Sequence, residues 1–121
     1  MDISKIEGDL ISIIKLSSIQ AKVFLLVVME GKMIAEKIGK KLDISANESL
    51  SVAKQLIELG SLIEISENEF EAMHPRFTAV NMYRKMCERE KIEFKRNVTV
   101  DNIGIALERP YEDARTKYNK N

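Results

Sequence analysis

Residues 34–59 constrain this chain more than any other stretch. Ile34, Ala35, Ile38 and Leu42 recur at helical spacing, with Glu36, Lys37, Lys40 and Lys41 between them. That pattern predicts a short helix over residues 33–41, apolar side inward and charges outward. Asp43-Ile44 makes a brief turn before Ser45-Ala46-Asn47-Glu48, which has capping-box form: the serine bonds the N–H three residues on, and the glutamate reaches back to the serine N–H. Leu50, Val52, Ala53, Leu56, Ile57 and Leu59 follow, and Gly60 stands where a C′ glycine ends a helix. A short helix that meets a second, capped helix after about four residues leaves the leading half of the second free to project from the body.

The flanks complete an order of elements. Ile3, Ile6, Leu10 and Ile13 form one stripe, which predicts an N-terminal helix within residues 1–15, too short for a stable coiled coil by itself. Gly8 weakens that helix by roughly 1 kcal/mol relative to alanine. Ser17-Ser18-Ile19-Gln20 is another capping-box sequence. It opens a strongly apolar helix through Val23, Phe24, Val27 and Val28 that Gly31 closes, the expected core helix. Residues 61–65 and 70–73 read as paired strands around the polar turn Ser66-Glu67-Asn68-Glu69, with Leu62, Ile63 and Phe70 packed under the helices. His74-Pro75 opens a long helix, since proline at the first helical position lacks only an N–H that would have had no partner. Phe77, Val80, Tyr83 and Met86 or Cys87 are its expected apolar stripe. Residues 94–97 read as a connector and residues 98–107 as a short helix or a strand. Pro110 is expected to open a last helical turn or two, ending in a frayed Asn-Lys-Asn.

Length and composition narrow the function. The 121 residues suffice for one domain. Nineteen basic residues balance nineteen acidic ones, so no net field draws nucleic acid from a distance. The balance is not local: residues 1–75 carry −4 and residues 76–121 carry +4, with every arginine in the second part. A single cysteine excludes an intramolecular disulfide and a cysteine-based zinc site, and a single histidine speaks against a transition-metal centre. Without tryptophan, and with 6% aromatics, a base-stacking platform or a carbohydrate cleft is not expected. The apolar run from Val23 to Met29 is too short to span a bilayer. No signal or lipidation motif is visible, which makes a reduced cytoplasm the expected compartment.

Three helices, a tight turn before the third and then a two-stranded hairpin is the order of a winged helix-turn-helix. The expected fold is therefore α+β, mostly helical, with a winged helix-turn-helix over residues 16–75. Helical extensions flank it at residues 1–15 and 76–121. Three stretches, Leu16-Ser17-Ser18-Ile19-Gln20-Ala21-Lys22-Val23-Phe24, Ile34-Ala35-Glu36-Lys37-Ile38 and Leu56-Ile57-Glu58-Leu59-Gly60-Ser61-Leu62-Ile63-Glu64, resemble the DNA-binding domain of TrmB-type archaeal transcription regulators. MarR-type regulators share the plan. The resemblance covers residues 16–83 and rests mostly on core and punctuation. It implies a cytoplasmic, dimeric, DNA-binding regulator without catalysis or cofactor. The sugar-binding domain of larger TrmB members has no room here, so no small-molecule effector is implied.

On that reading residues 46–59 form the recognition helix in the major groove. Asn47, Ser51, Lys54 and Gln55 face bases, while Lys32, Lys37, Lys40 and Lys41 meet phosphates of double-stranded DNA. Glu48 shares the exposed face, no arginine stands on this helix, and the hairpin turn carries two glutamates and no cation. Ile3, Ile6, Leu10 and Ile13 are the expected homodimer seam. The alternative is a winged-helix protein–protein interaction module in a transcription or repair assembly, without sequence-specific DNA binding. His74 is expected as a helix-start residue rather than a pH sensor, and Cys87 as a buried thiol rather than a redox switch. No phosphate loop, no nucleophile beside a base and no metal constellation is visible, so the chain is not expected to be an enzyme.

Overall fold

The computed structural model describes residues 2–119. Asp2 caps α1 (Ile3–Ser12) by accepting the Lys5 N–H at 3.1 Å. Ser17 and Gln20 exchange both capping-box bonds, at 3.1 and 2.9 Å, and launch α2 (Ser18–Glu30). α2 buries Ala21, Val23, Phe24, Leu25, Val27 and Val28. Apolar residues around so much of its circumference need neighbours on several sides. They are α1 and, from later in the chain, α3 (Ala35–Leu42), α4 (Ala46–Glu58), β3 (Glu69–Ala72) and α6 (Val98–Asn119).

Met33 and Ile34 do not begin the third helix, as their spacing suggests. They form a short strand, β1 (Met33–Ile34), which pairs antiparallel with β3 in the register Met33 with Phe70 and Ile34 with Glu69. β2 (Leu62–Ser66) pairs on the other side of β3, giving the order β1-β3-β2. The pairing sets alternate side chains on opposite faces. Met33, Leu62, Phe70 and Ala72 are buried, whereas Ile34 and Ile63, both expected inside, are 44% and 41% exposed.

The C-terminal part also departs from expectation. α5 (Pro75–Glu90) buries Thr78, Ala79, Asn81, Met82, Met86 and Cys87, while Phe77 is exposed and Val80 and Tyr83 are half-buried. The buried stripe sits about one residue round the first half of the helix from the expected one, while Met86 and Cys87 are buried as expected. α6 resolves the helix-or-strand alternative as a helix and runs straight through Pro110. Val100, Ile103, Leu107, Tyr111 and Ala114 keep one stripe buried on both sides of the proline, which outweighs one missing backbone hydrogen bond. Lys120 and Asn121 of the expected frayed end lie outside the described residues.

The N-terminal stripe is spent inside the chain. Ile6 and Leu10 are 6% and 0% exposed and belong to the same core as α2 and α6, with Ile3 and Ile13 packed half-buried against it. As a free dimer seam, the set Ile3, Ile6, Leu10 and Ile13 is corrected: α6 returns across the molecule and covers α1. The described residues form an α+β structure, mostly helical, with six helices and one three-stranded antiparallel sheet. None of these helices is long and apolar enough to cross a membrane.

Candidate nucleic-acid interface

The turn between α3 and α4 depends on a close approach at Gly39. Asp43 ends α3 in the left-handed region, with φ 58° and ψ 47°. The N–H groups of Asp43 and Ile44 both point to the Gly39 carbonyl, the second at 3.0 Å. A Cβ on Gly39 would lie 2.6 Å from the Ile44 carbonyl oxygen and 3.0 Å from Ser49 Oγ, so only glycine lets the helices close here. Ser45 Oγ accepts the Glu48 N–H at 3.0 Å and starts α4. Only this half of the expected capping box is made. The buried Ser49 hydroxyl donates to the Ser45 carbonyl at 3.0 Å, which leaves it satisfied inside the turn.

α4 buries Ser49, Val52, Ala53 and Leu56. Helical periodicity therefore sends Asn47, Ser51, Lys54 and Glu58 to the opposite side, with Glu48 and Gln55 beside them, and all six are exposed. The leading residues Ala46, Asn47 and Glu48 are uncovered. Lys32, Lys37, Lys40 and Lys41, before and along α3, are exposed as well. All eight expected contact residues thus reach solvent.

Several are already engaged. Lys54 Nζ donates to Glu64 of β2 at 2.8 Å, and the other Glu64 oxygen accepts the Asn68 N–H at 2.8 Å. The Lys54 ammonium, and after it the Asn68 amide, hold the Glu64 carboxyl below its usual range. Gln55 is drawn to the start of α2, where its Oε1 accepts from Gln20 Nε2 at 2.9 Å. Lys41 pairs with Glu30 at 2.8 Å and Lys40 with Glu36 at 3.6 Å, whereas Lys37 has no ion-pair partner among the described residues. Exposed pairs of this kind are worth about 0–1 kcal/mol, so a phosphate can take their place.

Carboxylates share this surface. Glu48 and Glu58 stand on α4 and Glu64, Glu67, Glu69 and Glu71 on the hairpin, against Lys54 as the one cation of these elements. An open pocket of about 330 Å³ lies between the start of α3, the leading turn of α4 and the hairpin turn. Ile34 and Leu50 give it an apolar wall, and Glu36 and Glu67 an acidic one. Sequence reasoning missed this pocket because it turned Ile34 inward. The available signal was the pair Met33-Ile34, which can extend after Gly31 as readily as it can coil.

The structure also gathers His74, Glu108 and Glu112, whose ligand atoms lie within 4.8 Å of one another. His74 and Glu108 have protein partners. His74 Nδ1 accepts the Arg76 N–H at 3.2 Å, which puts the neutral ring's proton on Nε2, 3.4 Å from Glu108. Arg76 donates to the other Glu108 oxygen at 3.1 Å. The ring meets Tyr111 edge-on at 5.3 Å. A cation bound at Nε2 would move the ring proton to Nδ1, against the Arg76 N–H. The cluster is a clasp between the start of α5 and α6.

Comparison of the chain with protein-family models, with curated proteins and with solved structures finds no match.

Proposed function

We propose that the chain is a winged helix-turn-helix transcription regulator of the TrmB type. It acts in the cytoplasm as a homodimer, with α4 entering the major groove of double-stranded DNA; it binds and does not catalyse. One observation carries this reading: the leading turns of α4 are uncovered, with Asn47 and Ser51 exposed, while its other side is locked into the core. The order α2-β1-α3-α4-β2-β3 supports it, because it presents a capped second helix beside a hairpin as groove-reading domains do. Asn47 and Ser51 suit base edges, and Lys37, Lys40 and Lys41 suit phosphates. Two copies double the few phosphate contacts that one copy offers, which is the case for a dimer.

Binding to a random duplex at low and moderate salt, followed by fluorescence anisotropy, tests the reading. Affinity should fall at least about tenfold between the two, because each phosphate contact releases counterions. Charge reversal at Lys37 and Lys40 together should abolish retention. Binding that ignores both salt and these substitutions removes the DNA reading, and a stable monomer in sedimentation with DNA present removes the dimer.

A second reading rests on the charge of the same surface. Six carboxylates on α4 and the hairpin, beside exposed Ile34 and Ile65, suit a protein partner with basic and apolar side chains. Under that reading high salt leaves apolar contacts intact, and reversal of Lys37 and Lys40 has little effect.

A further inference from the structure

Among the described residues, the most exposed aromatic side chains lie on α5 and the connector that follows it. Phe77 and Phe94 are 49% and 46% exposed. Phe94 leans on Tyr83, ring centroids 6.1 Å apart. On one side of Phe94 is a pocket of about 140 Å³ walled by Tyr83 and Val100, and on the other a wider trough of about 450 Å³ that includes Phe77 and Arg84. Val80 and Phe94 belong to both, so the two are halves of one apolar groove.

Charge identifies what the groove accepts. Arg76, Arg84, Lys95 and Arg96 line it, against Asp101 as its one lining carboxylate. Arg76 is paired with Glu108 and Arg96 with Asp101. Arg84 bonds only the neutral Asn81 amide oxygen, and Lys95 meets Glu93 at 3.7 Å with both side chains at least 75% exposed. Arg84 is therefore left to a visitor, and the exposed Lys95–Glu93 pair, weak in solvent, can yield to one. A second copy fits less well, because a two-fold contact sets this patch, with four cations and one lining carboxylate, against an identical one. Nucleic acid fits less well, because the walls between the cations are apolar.

We infer that this groove docks an acidic amphipathic helix of a partner protein. Apolar residues at i, i+3 or i+4, and i+7 enter beside Phe77 and Phe94, and flanking Asp or Glu side chains meet Arg84 and Lys95. The inference stands apart from the DNA reading, since it uses no residue of α3, α4 or the hairpin.

Panning a display library of random peptides, long enough for several helical turns, on the full chain tests it, with Phe94→Ala as the counter-selection. Enriched peptides should be net acidic with apolar residues at helical spacing. A synthetic representative should bind at least about tenfold more weakly to Phe94→Ala and to Arg84→Glu, both of which should stay folded and keep duplex binding. Arg84→Gln, which removes the charge alone, should give an intermediate loss and guards against misfolding of the reversed variant. The inference is overturned by enrichment of neutral or basic peptides, by no enrichment over Phe94→Ala, by displacement with a single-stranded oligonucleotide, or by a dimer that Phe94→Ala dissociates.

Discussion

Lys54 illustrates how a residue's chemistry is shared between sequence and fold. Its place on the outer side of α4 follows from the burial of Val52, Ala53 and Leu56, a spacing legible in the sequence. Its partner, Glu64, is ten residues away on β2 and becomes a neighbour only when the hairpin folds back. Glu64→Gln should release Lys54 and, on the DNA reading, steepen the salt dependence by about one phosphate contact, read from the slope of log affinity against log salt. The Glu64 carboxyl titrates below its ordinary 4.5. A lowered folded-state value means that the contribution is complete above the ordinary value and disappears as pH falls through the lowered one. The tie between hairpin and α4 should therefore survive mild acid, as a carboxyl-detected NMR titration of Glu64 would record. Gly39 was not legible in this way, since the Ile44 carbonyl that crowds it depends on how Asp43 turns the chain. Gly39→Ala should cost about 1–3 kcal/mol in chemical denaturation, as overpacking at a tight contact does.

At the scale of elements, punctuation was read well and partners were not. Ser17, Gly31, Ser45, Gly60 and Pro75 mark starts and stops that the structure repeats, because caps act within one turn of the backbone. β1 was missed because two residues carry no period of their own and gain strand geometry only by pairing with Phe70 and Glu69. The face of the first half of α5 was misassigned for a similar reason: residue size suggested Phe77 inward, but the packed side buries Thr78 and Ala79. Gly8 remains a local matter. It is helical, exposed and has nothing within 4 Å of where a Cβ would stand. Gly8→Ala should therefore stabilise the chain by about 1 kcal/mol, measured as a raised denaturation midpoint at unchanged slope.

For the whole molecule, the decisive fact is that α1, α2 and α6 share one core. Leu10 is fully buried there. Leu10→Ala should cost about 2–5 kcal/mol, and the loss should be the same at every protein concentration; a loss that grows on dilution would restore the N-terminal stripe as a contact between copies. The α4 surface was half legible from sequence. The exposure of Asn47, Ser51 and the lysines was read correctly, but the engagement of Lys54 and Gln55 and the acidic pocket beside Ile34 were not. By itself the sequence determined the positions of α1 to α5, most caps, most of the core and the uncovered start of α4, because helical period and hydrogen-bond termination operate over a few residues. The tertiary structure alone decided that α1 is covered, that Ile34 and Phe77 face solvent and which lysines are paired. Those outcomes depend on side chains distant in sequence, brought together by the return of the hairpin and α6.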